Sequence, residues 1–103
     1  MVARRALVRR VKLGVVGLGA LAQRAILPHL AQEDARARIE PVAVCDSVPG
    51  RAAASAERWG WREAYDSLDD LLRGADVEAV PLLTPIPLHH AQAKASFEAG
   101  RHV

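Results

Sequence analysis

Short apolar runs alternate with longer segments of helical periodicity along most of the chain. The runs predict buried strands, because Val, Ile, Leu and Ala dominate them and polar or turn residues bound them. Strands are predicted at 13–16, 39–45 and 77–84, with very short ones at 64–65 and 102–103. Helices are predicted at 20–32, 49–59, 66–74 and 87–99. This alternation with short connections indicates parallel βαβ units.

Proline and glycine mark the expected ends and irregularities of these elements. Pro49 occupies a first helical position, and Gly60 and Gly74 follow the last periodic residues of two helices. Pro28 should kink the first helix, and Pro81 should distort a central strand because it cannot donate to the ladder. Right-handed crossovers then place helices on both faces of a doubly wound parallel sheet. We expect an α/β fold with about four strands and four helices, in which the sheet is incomplete.

Charge divides the chain into two unequal parts. Residues 1–12 carry five basic side chains and no acid. The other 91 residues hold nine basic and twelve acidic side chains, so the net charge of +2 conceals a mildly acidic body. Such a body argues against nucleic-acid binding. We therefore expect a basic arm at 1–11, flexible and dispensable, and one globular domain at 12–103.

The chain has one cysteine, Cys45, which excludes a disulfide within the chain and a cysteine metal cluster. No run reaches the roughly 18 apolar residues of a membrane span. Arg9-Arg10 before the apolar run at 11–22 could indicate a twin-arginine signal, but a place for that run inside the fold explains it better. We expect a cytoplasmic protein without metal, membrane or nucleic-acid partner, and an oligomer is compatible with the sequence.

A glycine motif, G-x-G-x-x-A, spans Gly17 to Ala22 between the first predicted strand and helix. Gly17 permits a tight turn, Gly19 lets the backbone approach a pyrophosphate, and Ala22 allows close packing of the helix on the sheet. The helix N-terminus then offers N–H groups and positive partial charge to phosphates. A plain strand-to-helix turn is the alternative, but the context is the one that a dinucleotide site requires.

Two further groups of residues follow predicted strands. Asp46 ends the second strand, where a carboxylate can accept hydrogen bonds from both ribose hydroxyls of an adenosine or, alternatively, cap the next helix. Its separation of 29 residues from Gly17 exceeds the usual ~20. Thr84-Pro85 and His89 follow the strand at 77–84, at the sheet edge where α/β folds bind ligands. A lone histidine there is more often a packing or surface residue.

Together these motifs resemble the N-terminal domain of the Gfo/Idh/MocA oxidoreductase family. The resemblance extends from Lys12 to Val103 and includes the terminal Ala-Gly-Arg-His-Val. It implies a Rossmann-type sheet, a nicotinamide dinucleotide (NAD, with NADP as the alternative) and hydride transfer at a sugar, cyclitol or related hydroxyl carbon. The cofactor-binding residues that it implies are Gly17, Gly19, Ala20, Leu21, Ala22, Asp46, Ser47, Thr84, Pro85 and His89.

The sequence departs from the family pattern in one place within the motifs. Ile86 stands where the family usually has Asn, so a helix cap or cofactor contact is expected to be missing. The family also continues after Gly-Arg-His-Val with a Glu-Lys-Pro motif, whose lysine is the catalytic candidate, and with a substrate-binding domain. We therefore expect these 103 residues to form a cofactor-binding fragment without a catalytic residue and without turnover. Asp46 should repel a 2′-phosphate, which favours NAD.

Two other functions fit parts of the pattern. A non-catalytic nucleotide-binding module or redox sensor would use the same glycine loop and carboxylate. A methyltransferase using S-adenosylmethionine would also have a glycine-rich loop and an acid after the second strand. The Thr84–His89 segment and the terminal residues argue against the methyltransferase. The residues leave open the choice between an oxidoreductase and a non-catalytic module.

Overall fold

The computed structural model describes residues 9–103, so most of the predicted basic arm lies outside the described residues. Three parallel strands form one sheet in the order β1-β2-β3. They are β1, Val11–Val16; β2, Ile39–Cys45; and β3, Glu63–Tyr65. The bounds predicted for β2 are confirmed, while β1 begins two residues earlier than predicted and β3 one residue earlier.

The segment at 77–84 was expected to form a strand with a local distortion at Pro81; the distortion is present, but the segment forms no regular strand. It runs parallel to β1 on the edge away from β2, but only as isolated bridges, Leu13 to Ala79 and Val16 to Leu82. The Gly14 N–H donates to the Ala79 carbonyl (3.0 Å) and the Val16 N–H to the Pro81 carbonyl (3.1 Å). Pro81 has no N–H to return a bond to β1, so the ladder is interrupted there, as expected. His102 pairs in turn with Ala79, which extends the order to β3-β2-β1-(77–83)-(102).

Five helices, with a 3₁₀ turn before the last, connect the strands in the part of the chain that the structure describes. Helix α1 combines a π-helical turn, Ala22–Ile26, with an α-helical turn, Leu27–Leu30. The others are α2, Glu33–Arg36; α3, Arg51–Trp59; α4, Leu68–Gly74; and α5, His89–Glu98, which follows the 3₁₀ turn Ile86–Leu88.

The kink expected at Pro28 takes the form of the π-helical turn. The Leu27 N–H donates to the Ala22 carbonyl, five residues back, immediately before the proline. In a regular α-helix the prolyl ring would clash with the Arg24 carbonyl, and a wider turn avoids this. The stretch between α1 and β2, for which no helix was predicted, contains the short helix α2.

The start predicted for the second of the long helices is wrong. Gly50 adopts a left-handed conformation (φ +79°), so α3 begins at Arg51 and Pro49 lies in the preceding turn. Gly60 ends α3 with φ +77°, as predicted. Helix α4 is capped by Ser67, whose Oγ accepts a hydrogen bond from the Asp70 N–H at 3.1 Å. Here a hydroxyl satisfies one of the free N–H groups of the first turn.

Two apolar clusters cover the two faces of the sheet. Because side chains alternate along a strand, Val15 and Val16 point to opposite faces. Val16 belongs to a cluster with Leu71 of α4, whereas Val15 belongs to one with Leu27 of α1 and with residues of α3. Helices therefore pack on both faces, which confirms the doubly wound α/β architecture.

Three observations concern features considered in the sequence. Cys45 is buried at the end of β2, where desolvation raises the pKa of its thiol to about 11. Within residues 9–103, no set of three His, Cys, Asp or Glu side chains is placed to hold a metal ion. No helix in this part of the chain combines the length and the apolar character needed to cross a membrane.

Candidate functional site

A cleft of about 670 Å³ opens at the carboxyl ends of the strands. This is the edge at which open α/β sheets bind ligands, and the volume is in the range of small-molecule sites. Its lining comes from the turns that follow β1, β2, β3 and the segment at 77–83, and from the first turns of α5. The lining residues are Val16, Gly17, Leu18, Gly19, Cys45, Asp46, Ser47, Val48, Arg51, Asp66, Ser67, Leu68, Leu83, Thr84, Pro85, Leu88 and Gln92.

Gly17 makes the turn that brings β1 to the cleft. Its φ of +97° lies in the region that side chains other than glycine rarely adopt. A Cβ atom at this position would lie 2.7 Å from the Leu83 carbonyl carbon and 2.8 Å from the Thr84 nitrogen. Both the conformation and the close approach of two backbone segments therefore require glycine here.

No contact among residues 9–103 requires glycine at position 19. A Cβ atom built on it would meet no atom of these residues within 4 Å, and Gly19 lines the cleft. A side chain here would fill space that belongs to the cleft and not to the core. The two glycines of the motif thus differ: Gly17 serves the fold, and Gly19 keeps the cleft open beside the backbone.

The other motif residues have three different surroundings. Ala22 is buried (1% exposed) and belongs to the cluster on the α1 face of the sheet. Ala20 lies on an adjoining groove of about 400 Å³, together with Gly19, Arg51 and Arg58. Leu21 is 60% exposed and lines neither of these spaces.

Asp46 joins the glycine loop to the turn after β2. Its carboxylate is buried, with 9% of the side chain exposed. Oδ2 accepts from the Leu18 N–H at 2.8 Å and lies 3.4 Å from the Arg51 guanidinium, while Oδ1 accepts from the Val48 N–H at 2.8 Å. The carboxylate is therefore held rigidly against the cleft, and Ser47 lies beside it on the lining.

Thr84 and Pro85 line the cleft, but His89 does not. The His89 Nε2 lies 2.6 Å from the Thr84 carbonyl oxygen, so this nitrogen carries a proton and donates it. The α5 residue that reaches the cleft is Gln92, whose Oε1 accepts from the Thr84 hydroxyl. His89 thus contacts the backbone of Thr84 and does not itself line the cleft.

Several lining residues were not anticipated from the sequence. Asp66, Ser67 and Leu68 follow β3, and Leu88 and Gln92 are one helical turn apart at the start of α5. Position after a strand was a usable signal for 66–68, as it was for Asp46. The spacing of four residues places the side chains of the other pair on one helix face, but it does not determine which face meets the cleft.

Gln23 is another residue that the motif did not single out. Its Nε2 donates to the Leu18 carbonyl at 3.1 Å and to the Ser55 hydroxyl at 2.8 Å. Its Oε1 accepts from the indole N–H of Trp59 at 3.2 Å. One amide therefore ties the glycine loop to α3.

The comparisons with known proteins agree with this geometry. The family GFO_IDH_MocA, described as an oxidoreductase family with an NAD-binding Rossmann fold, matches residues 11–103. The chain belongs to this oxidoreductase family, which confirms the resemblance seen in its motifs.

Three similar proteins illustrate the family. A dTDP-3,4-didehydro-2,6-dideoxy-alpha-D-glucose 3-reductase of Streptomyces violaceoruber is 36% identical over 93% of this chain and 27% of its own length. The structure of scyllo-inositol dehydrogenase from Lactobacillus casei with NAD(H) and scyllo-inositol superimposes with a TM-score of 0.81 at 27% identity, covering 92% of this chain and 27% of that one. KijD10, a 3-ketoreductase from Actinomadura kijaniata seen with TDP-benzene and NADP, gives 0.81 at 32% identity, covering 92% and 28%. The chain thus spans little more than a quarter of these relatives.

Proposed function

We propose that this chain is the cofactor-binding part of an oxidoreductase. Its reaction is hydride transfer between a nicotinamide dinucleotide and a sugar, a cyclitol or a related hydroxyl compound. The observation that carries the proposal is the cleft, which unites the open backbone at Gly19 with the buried carboxylate of Asp46. The substrate class is supported by the relatives, one of which is a deoxysugar reductase and another an inositol dehydrogenase.

The glycine loop would hold the pyrophosphate. The space beside Gly19 admits a phosphate without displacing a side chain. The N–H groups of the first turn of α1 have no partners within their own helix and carry positive partial charge toward this space. Backbone dipoles suit this task, because the positive side-chain charge of the described cleft lining comes from Arg51 alone. Asp46 and Asp66 add negative charge to the same lining.

Asp46 would hold the adenosine ribose. Each carboxylate oxygen has two lone pairs; Leu18 and Arg51 use those of Oδ2, and Val48 uses one of Oδ1. One acceptor position therefore remains on Oδ1 for a ribose hydroxyl, and a second becomes available on Oδ2 when Arg51 turns away. The same negative charge would repel a 2′-phosphate, and Arg51 at 3.4 Å offsets this only in part. We propose that NAD binds more tightly than NADP, and calorimetry with both dinucleotides tests it; tighter NADP binding would reverse the assignment.

The lining supplies binding groups but few groups that could move a proton. When bound, a nicotinamide ring exchanges a hydride with the hydroxyl-bearing carbon, and the hydroxyl proton must pass to a base within hydrogen-bond reach. Among the described residues the lining has no lysine, histidine or tyrosine, and the Cys45 thiol has a pKa of about 11. We propose that these 103 residues bind the dinucleotide and do not turn over a substrate by themselves.

Calorimetry with NAD on the purified chain and on Gly19→Val tests the binding role. We expect the substitution to abolish binding while the circular dichroism is retained, because the new side chain enters the cleft and not the core. Ala53→Val, an exposed position of α3 outside the lining, is the matched control and should bind like the unaltered chain. Equal NAD affinity in Gly19→Val would show that the pyrophosphate lies elsewhere.

A second measurement separates binding from catalysis. NADH formation is followed with a panel of sugars and cyclitols, against a control without protein. We expect no turnover. Turnover that His89→Ala removes would show that the chain carries its own acid–base group and that our account of the cleft is wrong.

A further inference from the structure

The two ends of the cleft differ in chemistry. At the glycine loop it continues into the groove that contains Arg51 and Arg58. At the other end it continues between α4 and α5, into a space of about 250 Å³ that shares Ser67, Leu68 and Gln92 with it. We call the residues Ser67, Leu68, Leu88 and Gln92 the α4–α5 end of the cleft.

Two of the four side chains at the α4–α5 end, Leu68 and Leu88, are apolar. Leu88 is 48% exposed and Val48, next to Asp46 on the lining, is 42% exposed, while Leu68 is partly buried. Exposed apolar side chains that line a concave site gain by contact with an apolar surface of the ligand. A flat heteroaromatic ring has both such a surface and a polar edge.

The proposed function determines which part of the dinucleotide reaches this end. With the pyrophosphate at Gly19 and the adenosine ribose at Asp46, the base extends from the far side of the ribose, away from the phosphates. Strand β3 lies next to β2 on the side away from β1, and the turn after β3 (66–68) lines the cleft and shares a space with Gln92. Val48 and Leu88 line the same cleft.

Gln92 is the polar side chain at this end whose orientation is held by another side chain. Its Oε1 accepts from the Thr84 hydroxyl, and its position on α5 is stabilised by the buried Ser96, whose Oγ donates to the Gln92 carbonyl at 2.8 Å. After the bond from Thr84, the carboxamide retains an acceptor lone pair and two N–H donors. The Ser67 hydroxyl at the same end already accepts a hydrogen bond from the Asp70 N–H, as the cap of α4.

We propose that Gln92 selects the adenine base of the dinucleotide. A carboxamide can accept a hydrogen bond from the adenine 6-amino group and donate one to the adjacent ring nitrogen, a bidentate pairing that a 6-oxo purine does not match. The Thr84 hydroxyl, which donates to Oε1, fixes the position of the carboxamide at this end of the cleft. This inference rests on the proposed function and adds to it the group that recognises the base.

The test compares NAD with nicotinamide hypoxanthine dinucleotide, which carries a carbonyl in place of the 6-amino group. Calorimetry gives the ratio of the two dissociation constants for each protein. We expect the unaltered chain to prefer NAD by roughly tenfold, as for one good bidentate pair. Gln92→Met keeps the length of the side chain and should bring the ratio close to one. Thr84→Val removes the hydroxyl that fixes the position of the carboxamide, so the ratio should fall.

Gln32→Met, the same change at an exposed position outside the cleft, is the matched control and should keep the preference. A ratio near one in the unaltered chain, or an unchanged preference in Gln92→Met, would overturn the inference while NAD binding itself upholds the proposed function. Failure of the unaltered chain to bind either dinucleotide would contradict the proposed function first. If Gln92→Met does not fold by circular dichroism, the ratio for the unaltered chain and for Thr84→Val decides.

Discussion

The amino and carboxyl ends of the strands are held by different interactions. At the amino ends of the strands, charged side chains pair with one another: Lys12 with Asp76 at 2.7 Å, and Arg62 and Arg10 with Glu40. At the carboxyl ends, backbone N–H groups bind a buried carboxylate beside open space. Solvated ion pairs contribute little individually, whereas a buried carboxylate with two N–H donors is specific and hard to replace. The amino ends of the strands are therefore held by solvated ion pairs, and the carboxyl ends by a buried carboxylate that borders open space.

The largest expected effect is the difference in stability between alanine substitutions at Gly17 and at Gly19. Gly17→Ala places a methyl group against the backbone of Leu83 and Thr84 in a left-handed conformation, so we expect a loss of about 3 kcal/mol or more in the free energy of unfolding. Gly19→Ala, where no atom lies within 4 Å, should change it by less than about 1 kcal/mol. Urea unfolding measures both, and equal losses would contradict the distinction.

A smaller loss is expected when the buried carboxylate is made neutral. Asp46→Asn can accept on only one side-chain oxygen, so one of the N–H groups of Leu18 and Val48 loses its partner. We expect about 2 kcal/mol of destabilisation, together with weaker NAD binding. Asp69→Asn, exposed in the first turn of α4, is the control and should cost well under half of this. Similar losses in the two variants would show that burial of Asp46 is unimportant.

A smaller effect on stability is expected from the N-cap of α4, which also lies at the carboxyl ends of the strands. Ser67→Ala removes the acceptor for the Asp70 N–H and should destabilise the chain by about 1 kcal/mol in thermal unfolding. Ser67→Asp keeps an oxygen acceptor and should restore most of the stability. If both variants lose stability equally, Ser67 acts through something other than its cap.

The smallest effect is expected at the amino ends of the strands, and it depends on pH. The bond from Arg62 lowers the pKa of Glu40, and the bond from Lys12 lowers the pKa of Asp76. A lowered pKa in the folded state stabilises the fold above the carboxyl's ordinary pKa, and this contribution is lost as the pH falls through the lowered value. Arg62→Gln should therefore lower the melting temperature slightly at neutral pH and low salt. The difference in melting temperature from the unaltered chain should vanish in acid and in high salt. A large, salt-independent difference would contradict the small contribution assigned to the ion pairs at the amino ends of the strands.

How far the sequence predicted the fold depended on whether the signal was local. The bounds of β2 and the end of α3 at Gly60 followed from the apolar run and from a glycine that can adopt a left-handed conformation. The same reasoning failed at Pro49, because Gly50 and not the proline determined where α3 begins. It also failed for the strand at 77–84, where the loss of one ladder bond at Pro81 left only isolated bridges.

For the site, the sequence by itself determined the glycine motif, the carboxylate after β2 and their position at one edge of the sheet. These follow from chain stereochemistry and from the parallel order of the strands, which bring the carboxyl ends together. The tertiary structure alone decided that Asp46 binds the Leu18 N–H, and that Gln92 reaches the cleft while His89 binds the Thr84 carbonyl behind it. The rotation of α5 about its axis depends on packing against the rest of the fold. No spacing along the chain encodes that rotation.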